Sequence, residues 1–237
     1  MASIKELGKR LLKSSGYEVR RAQPAGSHLR PIGQLESVLA DFKARGYDPS
    51  IVFDCGASDG SWTTAIKPLF PNARFVLVEP RETSTAITVR AAVGAQEGSG
   101  VLTDWDTGST LLTVSTQSDP QYVVPVTTLD RLAEQFGTPD LVKLDVEGFE
   151  LEALRGGASL FGRTDVFLIE VALYRFEDRP MLHDIVAYMA SKGYFVYDIA
   201  GFIRRPYDGA VGLMDLCFAR ALRGPETEWH AKSVSKR

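Results

Sequence analysis

The chain has 237 residues, 44% of them hydrophobic, and balances 27 Lys+Arg against 30 Asp+Glu for a formal charge of −3. That length and composition build an ordinary buried core, and the slight acidity excludes a dedicated nucleic-acid binder, which needs a concentrated basic surface against phosphates. Two cysteines far apart in sequence, Cys55 and Cys217, exclude a disulfide framework and a CxxC metal site, and predict a reducing, cytoplasmic setting.

Residues 1–30 read as a basic amphipathic segment: Lys5, Lys9, Arg10, Lys13, Arg20 and Arg21 oppose Glu6 and Glu18, with Ile4, Leu7 and Leu11 at helical spacing. A solvated surface helix accounts for this pattern; weak contact of residues 1–21 with an anionic membrane surface is the alternative. The longest apolar run, VFLIEVAL, is interrupted by Glu170 and too short to span a bilayer, and no secretory leader is expected.

Residues 31–222 read as one domain, and 223–237 as a polar tail. Ile32, Leu35, Val38, Leu39 and Phe42 share a helical face that Gly46 ends. IVFDCG (51–56) and ARFVLVEP (73–80) are continuous apolar runs, the signature of parallel strands buried on both faces, with a short helix between them. VRAAVG (89–94) reads as a third strand, followed by hairpin-like extended structure and a helix starting near Asp130. DLVKLDVEG, the helix FELEALRGG, DVFLIEVAL, a helix opened by Pro180, and the runs YFVYDIAG and GLMDLCFARA complete the chain. Alternating strands and helices predict an α/β, doubly wound, mostly parallel sheet with one antiparallel strand near the end.

In such sheets ligands bind beyond the carboxyl ends of the strands. Gly56 and Gly60 let the backbone turn sharply there and approach a ligand, and the following helix offers unpaired N–H groups. The register from Gly56 gives Gly56, Ser58 and Ser61, which fails the G-x-G-x-x-G dinucleotide fingerprint at two positions. Asp54 before the turn would repel a pyrophosphate but suits a cationic cofactor, and Glu79 at the next strand's tip can accept both hydroxyls of a ribose. The charge pattern fits S-adenosylmethionine. A nicotinamide-dependent oxidoreductase and a non-catalytic cofactor-binding domain are the competing readings.

FDCGASDGSW, LVEP, AAVGAQEG, VTTLDRL, LVKLDVEGFELEALRGG and FLIEV occur in the order seen in the FkbM family of S-adenosylmethionine-dependent methyltransferases, which the chain resembles from about residue 50 to 220. The resemblance implies a class I methyltransferase fold, with a seven-stranded sheet and a reversed last strand. It also implies O-methylation of a hydroxyl on a sugar, glycolipid or secondary metabolite. It places Asp54, Gly56, Ala57, Asp59 and Gly60 on the first cofactor motif, Glu79 with Pro80 at the ribose, and Ala91 and Ala92 near the adenine. Ser58 stands where many members have Asn.

Methyl transfer to a hydroxyl needs a base, a metal ion or a neighbouring cation to handle the departing proton. Strand alternation puts Lys143, Asp145 and Glu147 on one side of their strand, and Glu170 ends the next strand at a comparable level. Asp145 and Glu170 are the candidate bases or, alternatively, ligands of Mg²⁺. Lys143 either forms a structural ion pair or tunes Asp145. Glu147 is a further catalytic candidate, Glu150 is expected to complement a helix N-terminus, and His183, opening a helix, is a candidate base. Trp105, Asp106, Ser109 and Thr110 are expected to wall the pocket. The acceptor hydroxyl and the oligomeric state are not readable from the residues.

Overall fold

The computed structural model describes residues 34–82, 86–103, 110–111, 120–175 and 178–220. The basic segment 1–21, His28, Trp105, Asp106, Ser109, His230 and the polar tail lie outside the described residues. Among the described residues no helix is long and apolar enough to cross a membrane.

In chain order the elements are α1 (Leu35–Ala44), β1 (Ile51–Cys55), α2 (Ser61–Ile66), β2 (Arg74–Val78), β3 (Ala92–Val93), β4 (Gly98–Thr103), β5 (Gln121–Thr127), α3 (Leu129–Phe136) and β6 (Leu141–Leu144). Then follow α4 (Glu150–Arg155), a 3₁₀ turn at Ala158–Leu160, β7 (Val166–Ala172), α5 (Leu182–Ser191), β8 (Val196–Arg204) and β9 (Val211–Ala219). A six-stranded sheet runs in the order β2, β1, β6, β7, β9, β8. Its β2–β1, β1–β6 and β6–β7 pairs are parallel, whereas β9 pairs antiparallel with both β7 and β8. Among the described residues the one reversed strand of this sheet, β9, is therefore also the last in sequence, inserted next to the edge.

The central strands β1, β6 and β7 are mostly apolar because both their faces are covered. Phe53, Val142, Phe167 and Ile169 point into one core, with Leu132, Leu154, Ile185 and Met189. Val52, Leu141, Val166 and Leu168 point into the other, with Val38, Leu39, Phe42 and Ile66 of α1 and α2. Residues one apart in a strand face opposite sides, so this parity also dictates which polar side chains are carried to which face.

The expected seventh strand of the main sheet is corrected by the structure. Residues 89–94 divide between two sheets: Val89 forms one parallel bridge to Val78, while Ala92 and Val93 pair with β5. There β3, β5 and β4 make a separate three-stranded sheet, whose antiparallel β4–β5 pair is the expected hairpin-like insertion. Two small alanines at the point of transfer leave room for a cleft instead of filling it. The α5 helix begins at Leu182 rather than Pro180; Met181 is its N-cap, and the Asp184 carboxylate accepts from the Met181 N–H at 2.9 Å.

Candidate active site

β1 stops where its chain meets β6. Gly56 takes φ +77° and passes so close to β6 that a Cβ would lie 1.7 Å from the Asp145 carbonyl oxygen. Its N–H and that of Ala57 both donate to the Val78 carbonyl, at 2.9 and 3.1 Å, which fastens the turn to the tip of β2. Ser58 (φ +47°) and Gly60 (φ +81°) complete a turn with three left-handed residues, and Gly60 leads directly into α2. Left-handed backbone at a non-glycine residue costs free energy and concentrates at functional sites.

Beyond this turn opens a cleft of about 680 Å³. Its lining includes Gly56, Ser58, Asp59, Glu79, Pro80, Ala91 and Ala92 from the turn and the β2–β3 region, and Asp145, Glu147, Glu170, Tyr174 and Arg179 from the carboxylate cluster. Of the cofactor candidates, Ala57 and Gly60 shape the turn from behind. Glu79 is buried at the tip of β2: one oxygen accepts from the Ser58 N–H at 3.0 Å, the other from the Arg81 N–H at 3.1 Å and Arg81 Nε at 3.0 Å. A carboxylate has about four acceptor positions, so Glu79 retains capacity for a ligand hydroxyl.

Asp54 is not at the cleft surface. It is fully buried beneath it, on the face of β1 toward α2, where Oδ2 accepts from Thr63 Oγ1 at 2.6 Å. The parallel register places Lys143 directly across from Asp54. Lys143 Nζ lies 3.9 Å from Asp54 Oδ1 and 2.9 Å from Asp145 Oδ2, with the Trp62 ring 5.7 Å away. Asp54 Oδ1 is left without a hydrogen-bond partner. Burial pushes the Asp54 carboxyl above its ordinary range, against the pull of Lys143 and Thr63. Burial alone would lower the Lys143 pKa, but Asp145 and Asp54 outweigh it and keep the ammonium charged. Lys143 thus does not line the cleft; it bridges the buried Asp54 to Asp145 at the cleft floor.

Asp145, Glu147 and Glu170 do converge: each offers a carboxylate oxygen within 4.8 Å of the others. Burial, with Asp145, Glu147 and Glu150 nearby, pushes the Glu170 carboxyl up to about 9, so it is protonated at neutral pH. Burial also raises Glu150 to about 7, although its Oε1 accepts from the Val146 and Gly148 N–H groups at 3.2 and 3.1 Å. Glu150 folds back onto the turn at the head of α4 and does not line the cleft.

The residue that sequence reasoning missed is Arg179. Its guanidinium is ion-paired to Glu147 and lies 3.9 Å from Glu170. A divalent cation could bridge three such carboxylates, but Arg179 already balances Glu147 and stands 3.9 Å from Glu170, where such an ion would sit. The donor set therefore does not favour the Mg²⁺ alternative, and no step is assigned to a metal. His183 is corrected as well: its side chain is 72% exposed, points toward Asp184 at 3.5 Å and lines no part of the cleft.

A carboxyl whose pKa is raised in the folded state contributes stability below its unfolded value and loses it as pH climbs through the folded one. Glu170, raised from 4.5 to about 9, and Glu150, raised to about 7, both act in this direction. Thermal unfolding is expected to show the wild-type Tm falling between pH 5 and 9, and Glu170→Gln flattening that fall. An equal slope in the variant would remove Glu170 from the cluster.

A doubly wound sheet with one reversed strand, an acid-tipped glycine turn and a cleft joining it to a carboxylate cluster define a class I methyltransferase architecture. The chain matches the methyltransferase FkbM domain over residues 54–196, more than half its length, and belongs to that family of S-adenosylmethionine-dependent methyltransferases. No curated protein matches it. Among solved structures it is similar to the methyltransferase FkbM from Methylobacillus flagellatus, at 18% identity and TM-score 0.46, covering 70% of this chain and 43% of that one. It is also similar to magnesium protoporphyrin IX methyltransferase from Synechocystis, determined with bound S-adenosylhomocysteine: 15% identity, 92% of this chain, 100% of that one, TM-score 0.44.

Proposed function

We propose that this protein transfers the methyl group of S-adenosylmethionine to a hydroxyl of a sugar, glycolipid or secondary metabolite. The observation that carries the reading is one cleft lined both by the glycine turn with Glu79 and by Asp145 with Glu170. Bound S-adenosylmethionine supplies an electrophilic methyl on a positively charged sulfur, with the departing thioether uncharged.

The chain's residues account for the rest. Glu79 accepts from ribose hydroxyls, and the small side chains of Ala91 and Ala92 leave space for a flat ring beside them. Asp145, held by Lys143 at 2.9 Å, would take the proton from the acceptor hydroxyl as the methyl group is transferred to it. Lys143 beside it holds the carboxylate in place through a hydrogen bond of 2.9 Å. Glu170, protonated, donates a hydrogen bond to the acceptor or to a second oxygen on it.

Calorimetry with S-adenosylhomocysteine tests the reading. The wild type should bind it and Glu79→Ala should bind it at least about tenfold more weakly, the equivalent of one charge-assisted hydrogen bond of roughly 1.5–3 kcal/mol. Absence of binding to the wild type, or NADH binding in its place, would overturn it.

A further inference from the structure

Glu147 is held in a way that a free base would not be. It adopts φ +51° although it carries a side chain, at the turn between β6 and α4. Such a conformation persists only when its surroundings over-determine it, and two contacts from separate parts of the chain do so. Thr110 Oγ1 donates to the Glu147 carbonyl at 2.6 Å. Arg179, entering from the connection between β7 and α5, is ion-paired to the Glu147 carboxylate.

Each contact reaches back into a different wall of the cleft. Thr110 belongs to the wall built on the three-stranded sheet, where its N–H donates to the Thr103 carbonyl at 3.0 Å and its carbonyl accepts from the Thr103 N–H at 2.9 Å. Arg179 belongs to the opposite wall, two residues before Met181, which bridges to Ala172 at the end of β7. Burial raises the Glu147 carboxyl while Arg179 pulls it back, so the side chain is committed to that cation. Glu147 is thus engaged at both its carboxylate and its carbonyl.

We infer that Glu147 is a positioning residue that ties the two walls of the cleft together, Thr110 to its backbone and Arg179 to its side chain. The inference rests on the reading of this cleft as the methyl-transfer site. The tie sets the spacing of the walls around the cofactor and the acceptor.

A purely local role for Arg179 or Thr110 would loosen only the wall each belongs to; a tie predicts cross-effects. Amide exchange followed by NMR on the full chain should read them at Thr103 and Thr110 on one wall and at Met181 on the other. Arg179→Gln should speed exchange about fivefold or more at Thr103 and Thr110, and Thr110→Val should do the same at Met181. The double variant should exchange no faster than the faster single, because either change alone releases the tie. Arg179→Lys should restore most of the protection. Unchanged exchange at Phe53 and Val142 reports an intact core; if Thr110→Val disturbs these, the effect of Arg179→Gln on Thr103 and Thr110 decides alone. Effects confined to each variant's own wall, or additive in the double variant, would overturn the inference. S-adenosylhomocysteine titrated into the same samples separates the two readings: a wild type that does not bind it removes the methyl-transfer reading, whereas the cross-effects still decide the tie.

Discussion

Gly56→Ala is expected to abolish cofactor binding and to lower the Tm by about 10 °C or more, if the protein accumulates at all. The new Cβ would sit 1.7 Å from the Asp145 carbonyl oxygen and 2.7 Å from its carbon, and both atoms are backbone in the middle of the fold. They cannot swing aside as a side-chain tip would. The tips of β1 and β6 would have to part, breaking the Asp145 N–H to Cys55 carbonyl bond of 3.1 Å and displacing Asp145 together with the turn. Backbone strain at φ +77° adds about 1–2 kcal/mol. Losses of about 4 kcal/mol belong to the largest class of single-residue effects, and at about 2–4 °C per kcal/mol for a chain of this size they give the stated shift. Gly60→Ala is the control. Its φ is similar at +81°, but the Cβ would meet only Leu77 Cδ2, at 3.3 Å. It should therefore cost little more than the strain, about 1–2 kcal/mol. Equal losses for the two variants, measured by differential scanning calorimetry, would show that the left-handed backbone and not the approach to β6 makes Gly56 necessary.

The contrast between these glycines marks the boundary of what the residues reveal on their own. IVFDCG, ARFVLV, LVKL and VFLIEVA announce strands because being buried on both faces demands uninterrupted apolar runs, and all four are strands of the main sheet. The cluster of Asp145, Glu147 and Glu170 was legible because it follows from strand ends lying level in a parallel sheet. Residues 89–94 supply the expected third strand at Ala92–Val93, but pairing, not propensity, decides which sheet takes it, and Ala92 and Val93 found β5. Arg179 was invisible for a related reason. It comes from an irregular connection and acts across 32 residues of sequence, a distance at which local pattern says nothing. Its only trace was an imbalance: Asp145, Glu147, Glu150 and Glu170 crowded at one edge demand a cation, without naming which. His183 shows the reverse error, since a position at a helix start does not set the direction in which the side chain faces.

Lys143→Met tests the buried half of the same charge arrangement, and here the effect should depend on pH. Asp54 is fully buried, and its Oδ1 has no hydrogen-bond partner. Lys143, 3.9 Å away, is the cation that balances it. Removing one partner of a buried pair leaves an uncompensated charge and costs about 3–5 kcal/mol, here about 6–20 °C in Tm. The Asp54 carboxyl is raised already by burial, and without Lys143 it must rise further. A carboxyl with a raised folded-state pKa loses stability as pH increases, so the deficit of Lys143→Met should be smaller at pH 5 than at pH 8. Asp54→Asn in the same background removes the charge and should recover much of the loss while abolishing that pH dependence. Chemical denaturation at the two pH values reads both quantities. A deficit that is the same at both, or an Asp54→Asn change that recovers nothing, would mean that Lys143 serves Asp145 at the cleft floor and that Asp54 stays neutral without help. In that case the loss of Lys143 would appear in methyl transfer and leave the pH profile of folding unchanged.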